Sequence, residues 1–329
     1  MITFYSLQQD RLKQLDNASY TRLPDPADVL WIDLCDPTQE EERAVETLLG
    51  LEVPTRQEAA EIEESARLYE ENGALVMTAV VICGVGEGKP SRTQVTFVLT
   101  RTHLVSLRYA DPVPFRSFQA KWQRQPELHT TSDRIFVSLL ESIVERAADV
   151  LELVAADLNE VSVKLFLEED QPRRGKSIED ELQALIKRLG RKNIIVSILR
   201  ESLISLSRLI PFARDGAETW LTNGGPARLK QLERDLRSLT AYEGQMSSEI
   251  IYLQDATLGL INLDQNRIIK VFSIAAVLFL PPTVVGTIYG MNFELMPELT
   301  WVFGYPFALA MMVLSATLPY YWFRRKGWL

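Results

Sequence analysis

Histidines and cysteines are few in this 329-residue chain, two of each, and they are badly spaced for covalent or metal chemistry. His103 and His129 are isolated, Cys35 and Cys83 match no metal or redox spacing, and no Gly-x-x-x-x-Gly-Lys-Ser/Thr loop is present. The polar groups that stand out are neutral and lie near the C-terminus. Asn266, Ser273, Leu280 and Thr287 recur at intervals of seven, Thr283 falls on a neighbouring turn, and Tyr289-Gly290-Met291-Asn292 follow. On a helix this spacing makes one mildly polar face of hydrogen-bonding groups without fixed charge. Taken alone, Asn292 would read as a turn asparagine.

The elements that must position these groups are membrane spans. Residues 271–289 carry no charged side chain over 19 positions, close to the ~20 needed to cross a bilayer as a helix. Residues 301–323 are equally uncharged and form the return span. Arg267 and Lys270 precede the first span, and Arg324, Arg325 and Lys326 follow the second. The loop between them has Glu294 and Glu298 but no lysine or arginine. The positive-inside tendency therefore puts both ends of the hairpin in the cytoplasm and the loop outside. Trp301, Tyr305, Tyr320, Tyr321, Trp322 and Trp328 sit where interfacial aromatics belong. Two spans cannot enclose a hydrophilic path, so a pore would need several copies, lined by the first span. Pro281 and Pro282, in mid-span, predict a bend.

Upstream, the chain changes character. Residues 1–270 hold 32 basic and 42 acidic side chains, a net charge of −10 that disfavours nucleic acid and favours cations. The first ten residues have no basic segment leading into an apolar one, so no cleavable signal is expected. Runs at 4–7, 29–34, 75–83, 95–100 and 104–108 are rich in β-branched and aromatic residues and predict strands. Residues 37–49 and 55–66 predict acid-capped helices, and 84–90 a loop. From Asp133 to Phe166 apolar residues recur at helical spacing. A second helix, predicted at 178–209, turns Leu182, Leu185, Ile186, Leu189, Ile194, Ile198 and Leu203 inward, and a loop containing Pro211 and Gly216 follows. From Ala227 to Pro281 no proline interrupts, which predicts a stalk of roughly 80 Å at ~1.5 Å per residue.

The expected fold class is thus an α+β cytosolic domain, a mixed α/β/α sandwich, joined to a long helical stalk and a two-helix transmembrane hairpin. The boundaries are 1–130 for the cytosolic α/β domain, 131–226 for an antiparallel helical hairpin and 227–270 for the stalk. Residues 271–289 and 301–323 are the spans, 290–300 the outer loop and 324–329 a basic cytoplasmic tail.

The C-terminal motifs resemble the CorA family of magnesium transporters within the 2-TM-GxN superfamily, especially the enterobacterial type. The residues that carry the resemblance begin with Asn262, Gln265-Asn266-Arg267-Ile268-Ile269-Lys270 and Phe279-Leu280-Pro281-Pro282-Thr283. They continue through Tyr289-Gly290-Met291-Asn292-Phe293-Glu294, Met296-Pro297-Glu298-Leu299 and Phe303-Gly304-Tyr305-Pro306. Trp31-Ile32-Asp33-Leu34 and residues 61–67 are similar too. The resemblance implies a funnel-shaped homopentamer in the bacterial inner membrane that takes up hydrated Mg2+, with Co2+ and Ni2+ also possible. The resemblance further implies no enzymatic activity and no covalent cofactor, Mg2+ as both the transported and a regulatory ion, and other copies, divalent cations and lipid as the partners.

By the same resemblance, Gly290, Met291 and Asn292 form the selective mouth at the periplasmic end, with Asn292 an outer-shell contact to hydrated Mg2+. Asn266 and Thr283 face the pore, and Ile269, Phe272, Ala276 and Leu280 form its apolar constriction, a type of ring that can gate by excluding water. Glu294 and Glu298 form an acidic entrance. The cytosolic regulatory ligands are not identified. A zinc transporter of the same superfamily is the nearest rival, disfavoured by Met291 and the scarcity of His and Cys. A membrane-anchored sensor or scaffold is a second alternative.

Overall fold

Adjacent residues of the strands point to opposite sides of one seven-stranded sheet, and both sides are covered. In the computed structural model, which describes all residues except 9–10, 17–24, 60, 62, 64–66, 126–128, 168–177, 223, 292–295, 298–300 and 328–329, the strands are β1 (Ile2–Gln8), β2 (Arg11–Asp16), β3 (Val29–Cys35), β4 (Leu68–Glu71), β5 (Ala74–Cys83), β6 (Ser91–Leu99) and β7 (Leu104–Arg108). Their order is β2-β1-β3-β7-β6-β5-β4, with β3 and β7 parallel and every other pair antiparallel. Phe4, Ile32, Val76, Val98 and Val105 pack on one face with Val45 of helix α1 (Gln39–Leu49). Their neighbours Tyr5, Trp31, Met77, Phe97 and Leu104 join the larger core on the other face. Because it is covered on both sides, β5 is buried almost throughout.

The larger core is completed by helices α3 (Val113–Arg124), α4 (Ser132–Phe166), α5 (Ile178–Gly216) and α6 (Gly225–Tyr289). Ion pairs set their directions. Arg228 of α6 holds Glu141 of α4, and further along Tyr252 stacks on Phe166, so α4 and α6 run the same way. Arg200 and Arg214 of α5 hold Glu243 and Glu233 of α6 in reverse order, so α5 is antiparallel to both.

A buried polar network ties β3 to β7. Trp31 Nε1 donates to Ser106 Oγ at 2.8 Å, Ser106 donates to Asp33 at 2.7 Å, and Arg108 forks onto the Asp33 carboxylate while its guanidinium lies 4.8 Å from the Phe115 ring centroid. Burial works against the Arg108 charge, but the attraction and hydrogen bonds of Asp33 outweigh it and raise its pKa. The Trp31-Ile32-Asp33-Leu34 motif is in this sense a packing device.

Several expectations need correcting. Of the helix predicted over 55–66, the described part is α2 (Arg56–Ala59), while Glu61 and Glu63 are not helical. Thr55 and Glu58 form a capping box that opens α2, Glu58 accepting from the Thr55 N–H and hydroxyl while its own N–H donates to Thr55 Oγ1, and beyond it the Arg67 guanidinium donates to the Glu61 carbonyl. Helix α5 does not stop near Leu209 but runs through Pro211 to Gly216. Leu209, Ile210, Ala213 and Ala217 are all buried, and their packing outweighs the lost proline hydrogen bond. Ile194, expected inward, is 54% exposed; Ile195 and Val196 take the inward positions. β2, β4 and α3 were not anticipated. For β4 the signal was present, since the turn into β5 is Asn72-Gly73, both at positive φ (50° and 77°), the type I′ hairpin pair.

By its contacts the chain divides into two compact units, Met1–Gln171 with Leu185–Gln254, and Pro172–Ala184 with Asp255–Leu329. The second contains the end of α6 and helix α7 (Gly304–Arg325), both long and apolar enough to cross a membrane.

Candidate functional site

The first span has two faces, and the predicted pore-lining residues share one of them. At about 100° per residue, Asn266, Ile269, Phe272, Ala276, Leu280, Thr283 and Thr287 fall within a sector of about 120° on α6. All are exposed: Ile269 is 62% accessible, Phe272 72% and Leu280 65%. The opposite side is half-buried along its length at Ile274, Leu278, Pro281, Val285 and Tyr289. Helix α7 comes close near that side: a Cβ added to Gly286 would lie 3.2 Å from the Met312 methyl. Ser273, read from the heptad spacing but not counted among the lining residues, belongs to the same exposed face.

The two threonines bond back onto their own helix. Thr283 Oγ1 donates to the Phe279 carbonyl at 2.7 Å and Thr287 Oγ1 to the Thr283 carbonyl at 2.7 Å. With the hydroxyl protons so engaged, the oxygens face outward as acceptors. The helix continues through Pro281 and Pro282 to Tyr289.

At the helix end, the Gly290 N–H donates to the Gly286 and Thr287 carbonyls and the Met291 N–H to the Ile288 carbonyl. The sequence suggests that Gly290 is needed for a sharp backbone turn, but its φ is not positive. A Cβ there would lie 3.2 Å from the Gly286 carbonyl oxygen of the preceding helical turn, a tight contact. Met291 is 46% exposed. Asn292, Glu294 and Glu298 lie outside the described residues. The return helix begins at Gly304 rather than Trp301, because residues 301–303 form a turn in which the Gly304 N–H donates to the Trp301 carbonyl. Trp301 packs on Phe307 at one end of α7, and Lys326 lies over the Trp322 ring at the other.

Among the described residues no group of three His, Cys, Asp or Glu side chains is placed to hold a metal ion. The chemistry of the α6 face is therefore that of neutral oxygens and apolar rings.

A family model described as CorA-like Mg2+ transporter protein matches residues 26–325. The magnesium transport protein CorA of Pasteurella multocida is 32% identical over 329 residues, covering 100% of both chains, and that of Haemophilus ducreyi is 33% identical over the same span. The complete structure of the CorA magnesium transporter from Methanocaldococcus jannaschii superposes with a TM-score of 0.75 at 18% identity, covering 100% of this chain and 99% of that one.

Proposed function

Because this chain belongs to the family of CorA-like Mg2+ transporters, we propose that it is a subunit of a homo-oligomeric inner-membrane channel for hydrated Mg2+. The observation that carries this reading is the division of labour on α6. One side is occupied by its neighbour within the chain, and the other displays Asn266, Phe272, Leu280, Thr283 and Thr287 exposed, the two threonine hydroxyls bonded only to carbonyls of their own helix among the described residues. A polar-flecked face suits other copies of itself around a wet axis far better than lipid. Arg267, Lys270 and Arg324 to Lys326 favour cytoplasmic ends.

Mg2+ surrenders its water reluctantly. Neutral acceptors such as the Asn292 amide and the Thr283 and Thr287 oxygens can bind the ion's waters without trapping it, and Leu280 and Phe272 between them supply a ring that can lose its water and close. The copy number we propose is five, from the family resemblance.

Mg2+ flux into proteoliposomes, measured for the parent and for Asn292→Ala with Co2+, Ni2+ and Zn2+ as competitors, tests the reading. Flux in the parent that the substitution abolishes is expected; equal flux in both would overturn the mouth assignment, and preference for Zn2+ would overturn the ion. Native mass spectrometry in detergent checks the assembly, and a dimer would be incompatible with a pore of this kind.

A further inference from the structure

Within the acidic body, one cleft has the opposite sign. A cavity of about 670 Å³, formed where α3 ends, α4 begins and α6 begins, is lined by Lys121, Arg124, Arg134 and Arg228. Two carboxylates, Asp133 and Glu141, share it, leaving an excess of positive charge in a region whose 270 residues sum to −10.

The charges are unevenly compensated. Arg228 is forked onto Glu141 at 2.8 and 2.6 Å, and Lys121 meets Glu145 at 2.5 Å in an exposed pair. Asp133 accepts both the N–H and the hydroxyl of Thr222 on Oδ2, at 2.8 and 2.6 Å, and forms no ion pair with Arg124 or Arg134 among the described residues. Arg134 reaches only the hydroxyls of Thr222 and Thr130, at 3.4 and 3.5 Å, and Arg124 is exposed with no ion pair among the described residues. Among the described residues, two guanidinium groups thus line a shared cavity with no carboxylate paired to them directly, that of Arg134 meeting Asp133 only through the Thr222 hydroxyl. Gly224 and Gly225 add the positive end of a 65-residue helix to the same wall.

We propose that this cleft binds a small phosphate-bearing anion. Guanidinium forks match phosphate oxygens in pairs, helix N-termini attract the same charge, and the volume lies in the range of small-molecule sites. The test of this site does not depend on transport.

Isothermal titration of the detergent-solubilised full-length protein, at about 0.15 M salt and without Mg2+, would use inorganic phosphate, pyrophosphate and ribose 5-phosphate as probes. Saturable binding of at least one is expected. Inorganic phosphate alone would identify the free ion as the source, and ribose 5-phosphate preferred over inorganic phosphate a phosphate ester. Arg124→Ala/Arg134→Ala should weaken binding by tenfold or more, the order expected for losing charge-assisted hydrogen bonds. Arg124→Gln, at an exposed position, should weaken it less while leaving the melting temperature unchanged. Arg237→Ala, a 77%-exposed arginine outside the cleft, should bind like the parent. Heat from none of the probes, or equal affinity in Arg124→Gln and the parent, would overturn the proposal.

Discussion

Asp33 is 2% exposed and takes Nε and Nη2 of Arg108 as well as the Ser106 hydroxyl, while Arg108 Nη1 goes to the Ala110 carbonyl and the half-exposed Asp111. Removing one partner of a buried pair is far worse than removing both, because the remaining charge stays desolvated. Asp33→Ala should therefore cost about 3–5 kcal/mol, seen as a large drop in the thermal melting temperature of the purified protein. Asp33→Ala/Arg108→Met should recover much of that loss; a double variant no more stable than Asp33→Ala would refute this account of the motif. Gly286 obeys a different constraint. An added Cβ meets only the end of the flexible Met312 side chain, so Gly286→Ala should fold and transport, whereas Gly286→Leu must push α7 away and should lose most Mg2+ flux.

At the scale of elements, the start of α4 is tied to the start of α6 through Asp133. Burial alone would raise its pKa, but hydrogen bonds from Thr222 and its surroundings dominate and lower it. Since the folded pKa is below the unfolded one, this contribution is complete above about pH 4 and is lost as pH falls through the depressed folded value. Asp157 and Glu160, held by Arg188 of α5, are displaced in the same direction, Glu160 to about 2. Acid should therefore loosen α4 from both partners, and Asp133→Asn should make the melting temperature fall less steeply below pH 4. A slope equal to that of the parent would refute the coupling. Helices of this kind were legible in the sequence because their apolar residues keep a 3.6-residue period over ten turns or so. The polar edge strand β2, with its Arg-Leu-Lys-Gln-Leu-Asp sequence, and α3, opened by Pro112 and Pro114, carry no such period, and their places come from pairing and packing. Pro211 misled for a related reason: a local breaker rule cannot see the long-range burial of Ile210 and Ala213. Spacing alone puts Asn266, Ser273, Leu280, Thr283 and Thr287 on one face of α6, and the family resemblance adds Ile269, Phe272 and Ala276, whereas the side occupied by α7 depends on a partner distant in sequence.

Over the whole molecule, charge is sorted: acids and bases crowd the first 270 residues, and the spans have none. The membrane potential alone could drive uptake through the proposed channel. Two positive charges crossing inward gain ~4.6 kcal/mol per 100 mV, enough at equilibrium for an accumulation on the order of a thousandfold. Proteoliposomes carrying the protein and a potassium diffusion potential, negative inside, should therefore concentrate Mg2+ without any nucleotide. Collapsing the potential with a potassium ionophore and balanced potassium should reduce uptake to equilibration, and reversing its sign should drive efflux. Uptake indifferent to the sign of the potential, or dependent on added ATP, would mean that the charge-free hairpin is not a simple conductor and that some other part of the molecule powers transport.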